Sequence, residues 1–187
     1  MLKTICNDVD GEMPSLWKLS YYELKQIVPL SWPLLAFGLD HGFIQTDVGI
    51  CFCLDEVTRK GTSDEQDVDL LCATDEDSIR RSIHGRVSDA ERNSVAVKSQ
   101  WVHVLLWLSC MRGHDANEIL DWVERIYAEF DYPKEIAPFV RYMPTKGMAN
   151  TPEGLTNALK KHLDEWRKKM FTDRDMNETD VHSSALY

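Results

Sequence analysis

Apolar residues recur every three or four positions through most of this chain, which is the spacing of one helix face. The clearest case is "ANEILDWVERIYAEF", where Ile119, Trp122, Val123 and Ile126 share one face and Asp115 precedes the segment as an N-cap. No segment alternates apolar and polar residues over several positions between two turn signals, so a sheet is unsupported. The pattern predicts an all-α fold of about eight helices.

One segment, "WVHVLLWLSCM", is apolar on nearly every side and lies within a helix predicted over about residues 89–112. A helix without a polar face is buried, so we expect the other helices to pack around this central helix. The final residues, 172–187, have little to bury. They predict a flexible tail that follows a single domain of residues 1–171.

Turn and capping residues divide the rest of the chain into helices. In "SYYELKQIV", Ser20 and Glu23 have the spacing of a capping box, in which each side chain accepts a hydrogen bond from the backbone of the other residue. Ser31 then caps a second helix, which is expected to end where Gly42 adopts a left-handed conformation. Further helices are predicted over residues 46–61, after Ser63, after Thr74, within "KEIAPFVRYM" and from Thr151.

The composition is that of a folding protein with an acidic surface. Of 187 residues, 43% are hydrophobic and 28% are charged, and 31 acids against 21 bases give a formal net charge of −10. Proteins that bind nucleic-acid backbones use clustered Lys and Arg, so nucleic acid is disfavoured as a partner. A basic protein is the complementary partner, although solubility alone also accounts for many acidic proteins.

The cysteines and the apolar runs indicate the compartment. Five cysteines, an odd number in mostly apolar surroundings, do not indicate a disulfide framework. The N-terminal "MLKTICNDVDGEM" lacks the apolar run of a signal peptide, and the longest apolar run, residues 101–111, is too short to span a bilayer. We therefore expect a reduced, cytoplasmic protein without a membrane partner.

The acidic residues are concentrated in two segments. Residues 55–91 contain eleven acids and five bases, residues 115–135 contain seven acids and two bases, and residues 92–114 contain three bases and no acid. One acidic helix face is usually a solvated face, but two such segments favour a surface that binds a cationic protein. The predicted partner-binding residues are Asp64, Glu65, Asp67, Asp69, Asp75, Glu76, Asp77, Glu118, Asp121 and Glu129.

Two short motifs resemble catalytic or metal sites, and each has a structural alternative. In Asp40-His41-Gly42, adjacent residues at a helix end point in different directions, so Asp40 is poorly placed to orient His41. A histidine in the last turn of a helix is the favoured interpretation. In Cys51-Phe52-Cys53, residues two apart lie about 200° apart around a helix, which favours buried thiols over a chelating pair.

The six histidines have no metal-binding or catalytic spacing, and the sequence contains no glycine-rich phosphate loop or nucleophile motif. His103 lies inside the apolar central segment, which favours a core histidine with one satisfied nitrogen. We therefore predict no catalytic residue, no metal ligand and no cofactor. A hydrolase that uses His41 or His103 with nearby carboxylates is the enzymatic alternative.

Two blocks of the sequence resemble an uncharacterised bacterial family of all-helical domains. Residues 30–44 match the pattern L-S-W-x-x-x-x-x-G-L-x-x-G-x-I, and residues 126–136 match I-Y-A-x-F-D-Y-P-x-x-I. Members of this family look like immunity proteins encoded beside polymorphic toxins, including those of contact-dependent growth inhibition. The resemblance implies a cytoplasmic inhibitor of one toxin. It does not identify contact residues, because immunity proteins vary most where they bind.

The charge pattern and the resemblance together lead to one functional hypothesis. The chain is expected to be an immunity protein, monomeric or weakly dimeric, that covers the active site of a cognate toxin with an acidic surface. The expected toxin is a basic RNase or DNase. The alternative is an intracellular all-helical adaptor or regulator that binds another protein through the same surface. A large toxin gene beside this gene would favour the immunity protein.

Overall fold

The computed structural model describes residues 18–143 and 151–183, with side chains up to residue 173. Within these residues the chain forms nine α-helices and one short 3-10 helix, and an isolated bridge joins Leu19 to Ile44. The helices are α1 (Tyr21–Ile27), α2 (Trp32–Asp40), α3 (Thr46–Lys60), α4 (Glu65–Cys72), α5 (Glu76–His84), α6 (Asp89–Arg92), α7 (Val95–Arg112), α8 (Ala116–Glu129) and α9 (Pro152–Ser183), with the 3-10 helix at Ala137–Phe139. The predicted all-helical class is confirmed.

Two predicted helices differ from the structure. The helix expected from about residue 89 is interrupted, because Ser88 and Glu91 form a capping box for the single turn of α6 and the Ser94 hydroxyl then caps α7 at Val97. Such side chains compete with the helical hydrogen bonds of the backbone. The segment around Pro138 forms only a 3-10 turn, because proline lacks the N–H that a helix interior needs.

The described residues form two compact units. The first contains residues 18–25 and 30–102, and the second contains residues 26–29, 103–143 and 151–183. Helix α9 extends to Ser183, beyond its predicted end at residue 171. The predicted domain of residues 1–171 and the predicted tail of residues 172–187 reach outside the described part of the chain and stay predictions, and Cys6 also lies outside it.

The capping residues expected from the sequence begin the first two helices. The backbone N–H of Ser20 donates to Glu23 Oε2 at 2.9 Å, and the N–H of Glu23 donates to Ser20 Oγ at 3.4 Å. The Ser31 hydroxyl accepts from the N–H of Leu34 at 3.4 Å. Gly42 follows α2 with φ +70°, the left-handed conformation that glycine adopts without strain. These predictions are confirmed.

Trp101 occupies the core of the first unit. Its side chain is fully buried, its Nε1–H donates to the carbonyl of Leu34 at 2.9 Å, and its ring centroid lies 4.9 Å from that of Phe43. A Cβ on Gly38 would come within 2.3 Å of the indole ring. The absence of a side chain at this position of α2 therefore lets the helix backbone approach the fully buried indole of Trp101.

The second unit buries one face of α8 together with parts of α7 and α9. The buried residues of α8 are Ile119, Leu120, Val123, Ile126 and Tyr127. Those of α7 in this unit include Val104, Leu105, Leu106 and Leu108, and those of α9 include Leu155, Leu159 and Leu163. The amphipathic pattern of α8 therefore predicted most of its buried face. The apolar segment of α7 is buried as expected at residues 101–106, 108 and 109, but Trp107 and Cys110 are half-buried and Met111 is exposed.

Candidate protein-binding surface

The Asp40-His41-Gly42 motif is a helix C-terminus. His41 Nδ1–H donates to the Phe37 carbonyl at 2.8 Å, and the two rings are stacked with centroids 4.0 Å apart. The carboxylate of Asp40 points elsewhere: it lies 3.2 Å from Arg92 Nε and 3.1 Å from His84 Nε2. The two side chains therefore have separate partners, as the geometry of adjacent residues predicted.

His103 is a buried histidine paired with a second histidine. Its Nε2 lies 3.2 Å from Nε2 of His162 on α9, and its ring stacks on Trp166 at a centroid distance of 4.5 Å. Burial lowers the pKa of His162. One of the two facing nitrogens must be unprotonated to accept the hydrogen bond. The expected core histidine with a satisfied nitrogen is confirmed.

The thiol of Cys53 is buried in the first unit, as predicted. It donates to Asp67 Oδ1 at 3.5 Å, and burial raises its pKa to about 11. Cys51, two residues earlier, is only half-buried, and Cys72 is exposed. The expectation of a buried thiol is therefore confirmed for Cys53, whereas Cys51 is only half-buried and Cys72 does not have the apolar surroundings that were expected.

Helices α4 and α5 present the largest group of exposed predicted partner-binding residues. We call this group the α4–α5 acidic surface, and it consists of Asp64, Glu65, Asp69, Asp75, Glu76 and Asp77. Glu65, Asp69, Glu76 and Asp77 make no ion pair with the residues that the structure describes. Glu65 and Asp69 are four residues apart and share one face of α4. None of these four charges is therefore neutralised by an ion pair, although the cation of Arg81 lines the same groove as Asp69.

Asp64 and Asp75 also act as the N-caps of α4 and α5. Oδ1 of Asp64 accepts from the N–H of Asp67 at 2.8 Å, and Oδ1 of Asp75 accepts from the N–H of Ser78 at 2.9 Å. The backbone and hydroxyl hydrogen bonds from Ser78 lower the pKa of Asp75. The caps were expected one residue earlier in each case. A carboxylate at the cap also interacts favourably with the positive end of the helix dipole.

Asp67 lies inside the first unit, so its inclusion among the surface contacts needs correction. Its side chain is 9% exposed and pairs at 2.8 Å with Arg86, which is 6% exposed and lies over the ring of Trp32. Burial by itself would raise the pKa of Asp67, but the Arg86 and N-cap backbone hydrogen bonds outweigh it and lower the pKa. Position 67 is about 200° around α4 from Glu65, which places it on the opposite face.

A shallow groove of about 280 Å³ lies between α4 and α5. It is lined by Asp69, Cys72, Ala73, Ser78, Arg81 and Ser82. Arg81 is held against its own helix, with Nη2 donating to Ser78 Oγ at 3.0 Å and Nε donating to the Asp77 carbonyl at 3.3 Å. The carboxylate and hydroxyl groups of the groove are suited to accept hydrogen bonds from an incoming Lys or Arg side chain.

The second predicted cluster, Glu118, Asp121 and Glu129, lies on α8 in the second unit. Glu118 accepts a hydrogen bond from the N–H of His114 at 2.8 Å, and Glu129 is half-buried. Asp121 pairs with Arg141, whose Nε also lies 2.8 Å from Glu124. Hydrogen bonds with Glu124 and Asp121 raise the pKa of Arg141. This cluster therefore presents less unpaired charge than the α4–α5 acidic surface.

Sequence reasoning missed two exposed tyrosines that follow α8. Tyr132 and Tyr142 are 59% and 62% exposed. Tyr132 and the preceding Asp131 both have left-handed φ angles, 58° and 59°, and the N–H of Tyr132 donates to the Tyr127 carbonyl at 2.9 Å. Tyrosine is enriched among residues that dominate binding energies. The sequence of residues 130–132 gave no indication of this exposure, because composition does not separate exposed aromatic residues from buried ones.

The sequence pattern of one bacterial protein family matches residues 21–167, well over half of the chain. That family is described as uncharacterised proteins conserved in bacteria, DUF2247. The chain belongs to DUF2247. The match includes the α4–α5 acidic surface and the cluster on α8, and it confirms the resemblance to an uncharacterised bacterial family.

No curated protein and no solved structure matches the sequence of this DUF2247 member. Among the helices of the described residues, none has both the length and the apolar content needed to cross a bilayer. The geometry of the DUF2247 chain itself is therefore the basis for assigning a function.

Proposed function

We propose that this protein is an immunity protein that binds a cationic toxin, a basic nuclease, and blocks its active site with the α4–α5 acidic surface. The observation that carries the proposal is the set of exposed carboxylates on α4 and α5 that lack cationic partners among the described residues. The fixed cap geometry of Asp64 and Asp75 holds two further charges beside them. In this proposal the protein acts by binding alone.

The charge of the surface explains how such a partner would be recognised. A nuclease cleft attracts phosphates with Lys and Arg, and carboxylates that enter this cleft replace the phosphates as binding groups. The net charge of −10 would speed encounter with such a partner. This effect weakens as the Debye length falls from about 30 Å at 0.01 M salt to about 8 Å at 0.15 M.

The assignment of the partner as a toxin is supported by the resemblance of residues 30–44 and 126–136 to a family whose members look like immunity proteins. The two supports are independent, because those blocks contain helix-packing residues and lie outside α4 and α5. The charge of the surface supports a cationic partner, and the resemblance supports the proposal that this partner is a toxin.

The experiment pairs the protein with the product of the gene next to its own in the native genome, which this proposal expects to be a toxin. Cells that express the toxin alone should stop growing, and cells that also express this protein should grow. The purified proteins should form a complex whose association rate falls as salt increases. Failure of both protection and complex formation would refute the proposal, and binding to a protein that is not a toxin would favour the adaptor.

Charge-neutralised variants test whether the α4–α5 acidic surface makes the contact. In the test variant, Glu65→Gln, Asp69→Asn and Glu76→Gln remove three exposed charges and leave both N-caps in place. The control carries Asp47→Asn, Glu153→Gln and Asp173→Asn, which remove three exposed charges elsewhere. Exposed pairs contribute up to about 1 kcal/mol each, so the test variant should bind more weakly by up to about a hundredfold. Equal affinities of the two variants would exclude this surface.

A further inference from the structure

The second unit contains a cavity of about 340 Å³ between α7 and α9. Its lining comes from Trp107, Cys110 and Met111 of α7 and from Lys160, Leu163 and Asp164 of α9. Pockets that hold small molecules in proteins are about 300 to 1,000 Å³. None of the lining residues belongs to the α4–α5 acidic surface, so the proposed function does not use this cavity.

The floor and walls of the cavity are mostly apolar. Leu163 is 1% exposed and forms the floor, Trp107 is half-buried, and Met111 is 69% exposed at the edge. In the segment 101–109, Trp107 is half-buried and the other eight residues are buried. Together these side chains leave an apolar strip of α7 open to solvent beside α9, where it can contact an alkyl chain.

The cavity is lined by one cation and one acid, Lys160 and Asp164. A second cation, Arg167, does not line the cavity, but its guanidinium lies over the ring of the lining residue Trp107 at 5.3 Å from the centroid. Within the described part of the chain, none of these three side chains forms an ion pair. Burial raises the pKa of Cys110 to about 11, while the nearby charge of Lys160 acts in the opposite direction. The lining thiol is therefore neutral near pH 7.

We propose that this cavity binds a medium-chain aliphatic carboxylate. The alkyl chain lies against Trp107 and Leu163, and the carboxylate lies beside Lys160 and Arg167. Lys160 in the lining and Arg167 beside Trp107 outnumber the one acid, Asp164, which favours an anionic head group. The apolar floor favours a chain without polar atoms. Because the protein as a whole has a net charge of −10, this local excess of positive charge distinguishes the cavity from the rest of the surface as a site for an anion.

Octanoate is the probe for the first experiment, titrated into the full chain and followed by NMR. The Trp107 indole signal, assigned with Trp107→Phe, should shift and saturate. Each methylene buried strengthens binding about fourfold, so hexanoate, which has two fewer methylenes, should bind about fifteenfold more weakly than octanoate. Octylammonium, with the same chain and opposite charge, should bind more weakly than octanoate. An octanoate titration without saturation, or equal affinities of hexanoate and octanoate, would overturn the proposal.

Matched lysine variants test the head group. Lys160→Gln should weaken octanoate binding about fivefold, the upper range for an exposed ion pair, and should leave octanol binding unchanged. Lys161→Gln is the control, because Lys161 is the next residue, carries the same charge and lies 3.9 Å from Glu165 outside the cavity lining. Equal effects of the two variants on octanoate would mean that no specific carboxylate site exists.

A second pair of variants changes the charge at the exposed edge of the cavity. Met111 is exposed, so Met111→Glu and Met111→Gln should both fold, which circular dichroism checks. The carboxylate of Met111→Glu should repel octanoate and weaken its binding severalfold relative to Met111→Gln. It should also favour octylammonium. Unchanged octanoate affinity in Met111→Glu would place the bound molecule away from this cavity.

Discussion

Replacing Asp67 with Asn tests whether this carboxylate supports the fold or contacts a partner. The change keeps the size of the side chain and removes its charge. Arg86, whose side chain is 6% exposed, then retains a positive charge in the interior without the carboxylate 2.8 Å away. The ring of Trp32, 4.3 Å from the guanidinium, offers only a weaker attraction.

The expected loss of stability follows from the burial of this ion pair. Removing one partner of a buried pair costs about 3–5 kcal/mol, because the remaining charge has lost its compensation. The amide oxygen of Asn can still accept a hydrogen bond from Arg86, so the low end of about 3 kcal/mol is expected. That is a large part of the roughly 5–15 kcal/mol that stabilises a typical domain.

Asp121→Asn provides the matched control at an exposed pair. Asp121 and Arg141 have side chains that are 61% and 35% exposed, and Arg141 keeps Glu124 as a partner. Such exposed pairs contribute about 1 kcal/mol or less. The double variant Asp67→Asn with Arg86→Met should recover much of the loss, because an apolar side chain needs no counter-charge.

Urea unfolding at pH 7, followed by circular dichroism, measures the free energies of unfolding of the wild type and of the three variants. The reasoning would be refuted if Asp67→Asn lost no more stability than Asp121→Asn, or if adding Arg86→Met made the first variant less stable still. Either result would mean that the buried charge is compensated by water or by another group. It would also reopen the possibility that Asp67 contacts a partner.

Three further predictions follow from the same contacts. The folded-state pKa of Asp67 is lowered, so its contribution to stability is present above the unfolded-state pKa of about 3.9 and is lost as the pH falls through the folded-state pKa. Between pH 7 and pH 3 the urea midpoint should therefore fall less in Asp67→Asn than in the wild type. Gly38→Ala gains about 0.5–1 kcal/mol in helix propensity, but its new methyl group meets the Trp101 ring. Overpacking should therefore cause a net loss of stability of about 1–2 kcal/mol, and a raised thermal midpoint would contradict this. Burial lowers the pKa of His162, so the stability of the wild type should fall as the pH drops below about 6.5. The side chain of His162→Gln cannot be protonated beside His103, so this variant should lose less stability between pH 7.5 and pH 5.5.

Much of the candidate surface was predictable from the order of residues. The concentration of acids in residues 55–91 indicated α4 and α5, and six of the seven residues predicted there are exposed. The seventh, Asp67, was misplaced because a local excess of charge does not reveal which face of a short helix meets the core. Its partner Arg86 is 19 residues away, so the neighbouring sequence gave no indication of the pair.

The second cluster shows the same limit on α8. Its amphipathic pattern predicted which residues face the core, and that prediction is largely confirmed. The pattern did not predict that Arg141, 20 residues from Asp121, neutralises part of the acidic face. Nor did it predict that Tyr132 and Tyr142 are exposed, because exposure depends on what other segments leave uncovered.

The residues by themselves determined the helical class, most helix ends and the sign of the surface charge. Capping boxes, proline and glycine act through groups only a few positions apart, as at Ser20 and Glu23, so a local pattern contains the information needed. The tertiary structure alone decided which carboxylates are buried, which aromatic rings are exposed and where a cavity opens between α7 and α9. Those properties arise from side chains distant along the chain, such as Trp101 and Leu34, which are brought together only when the helices pack.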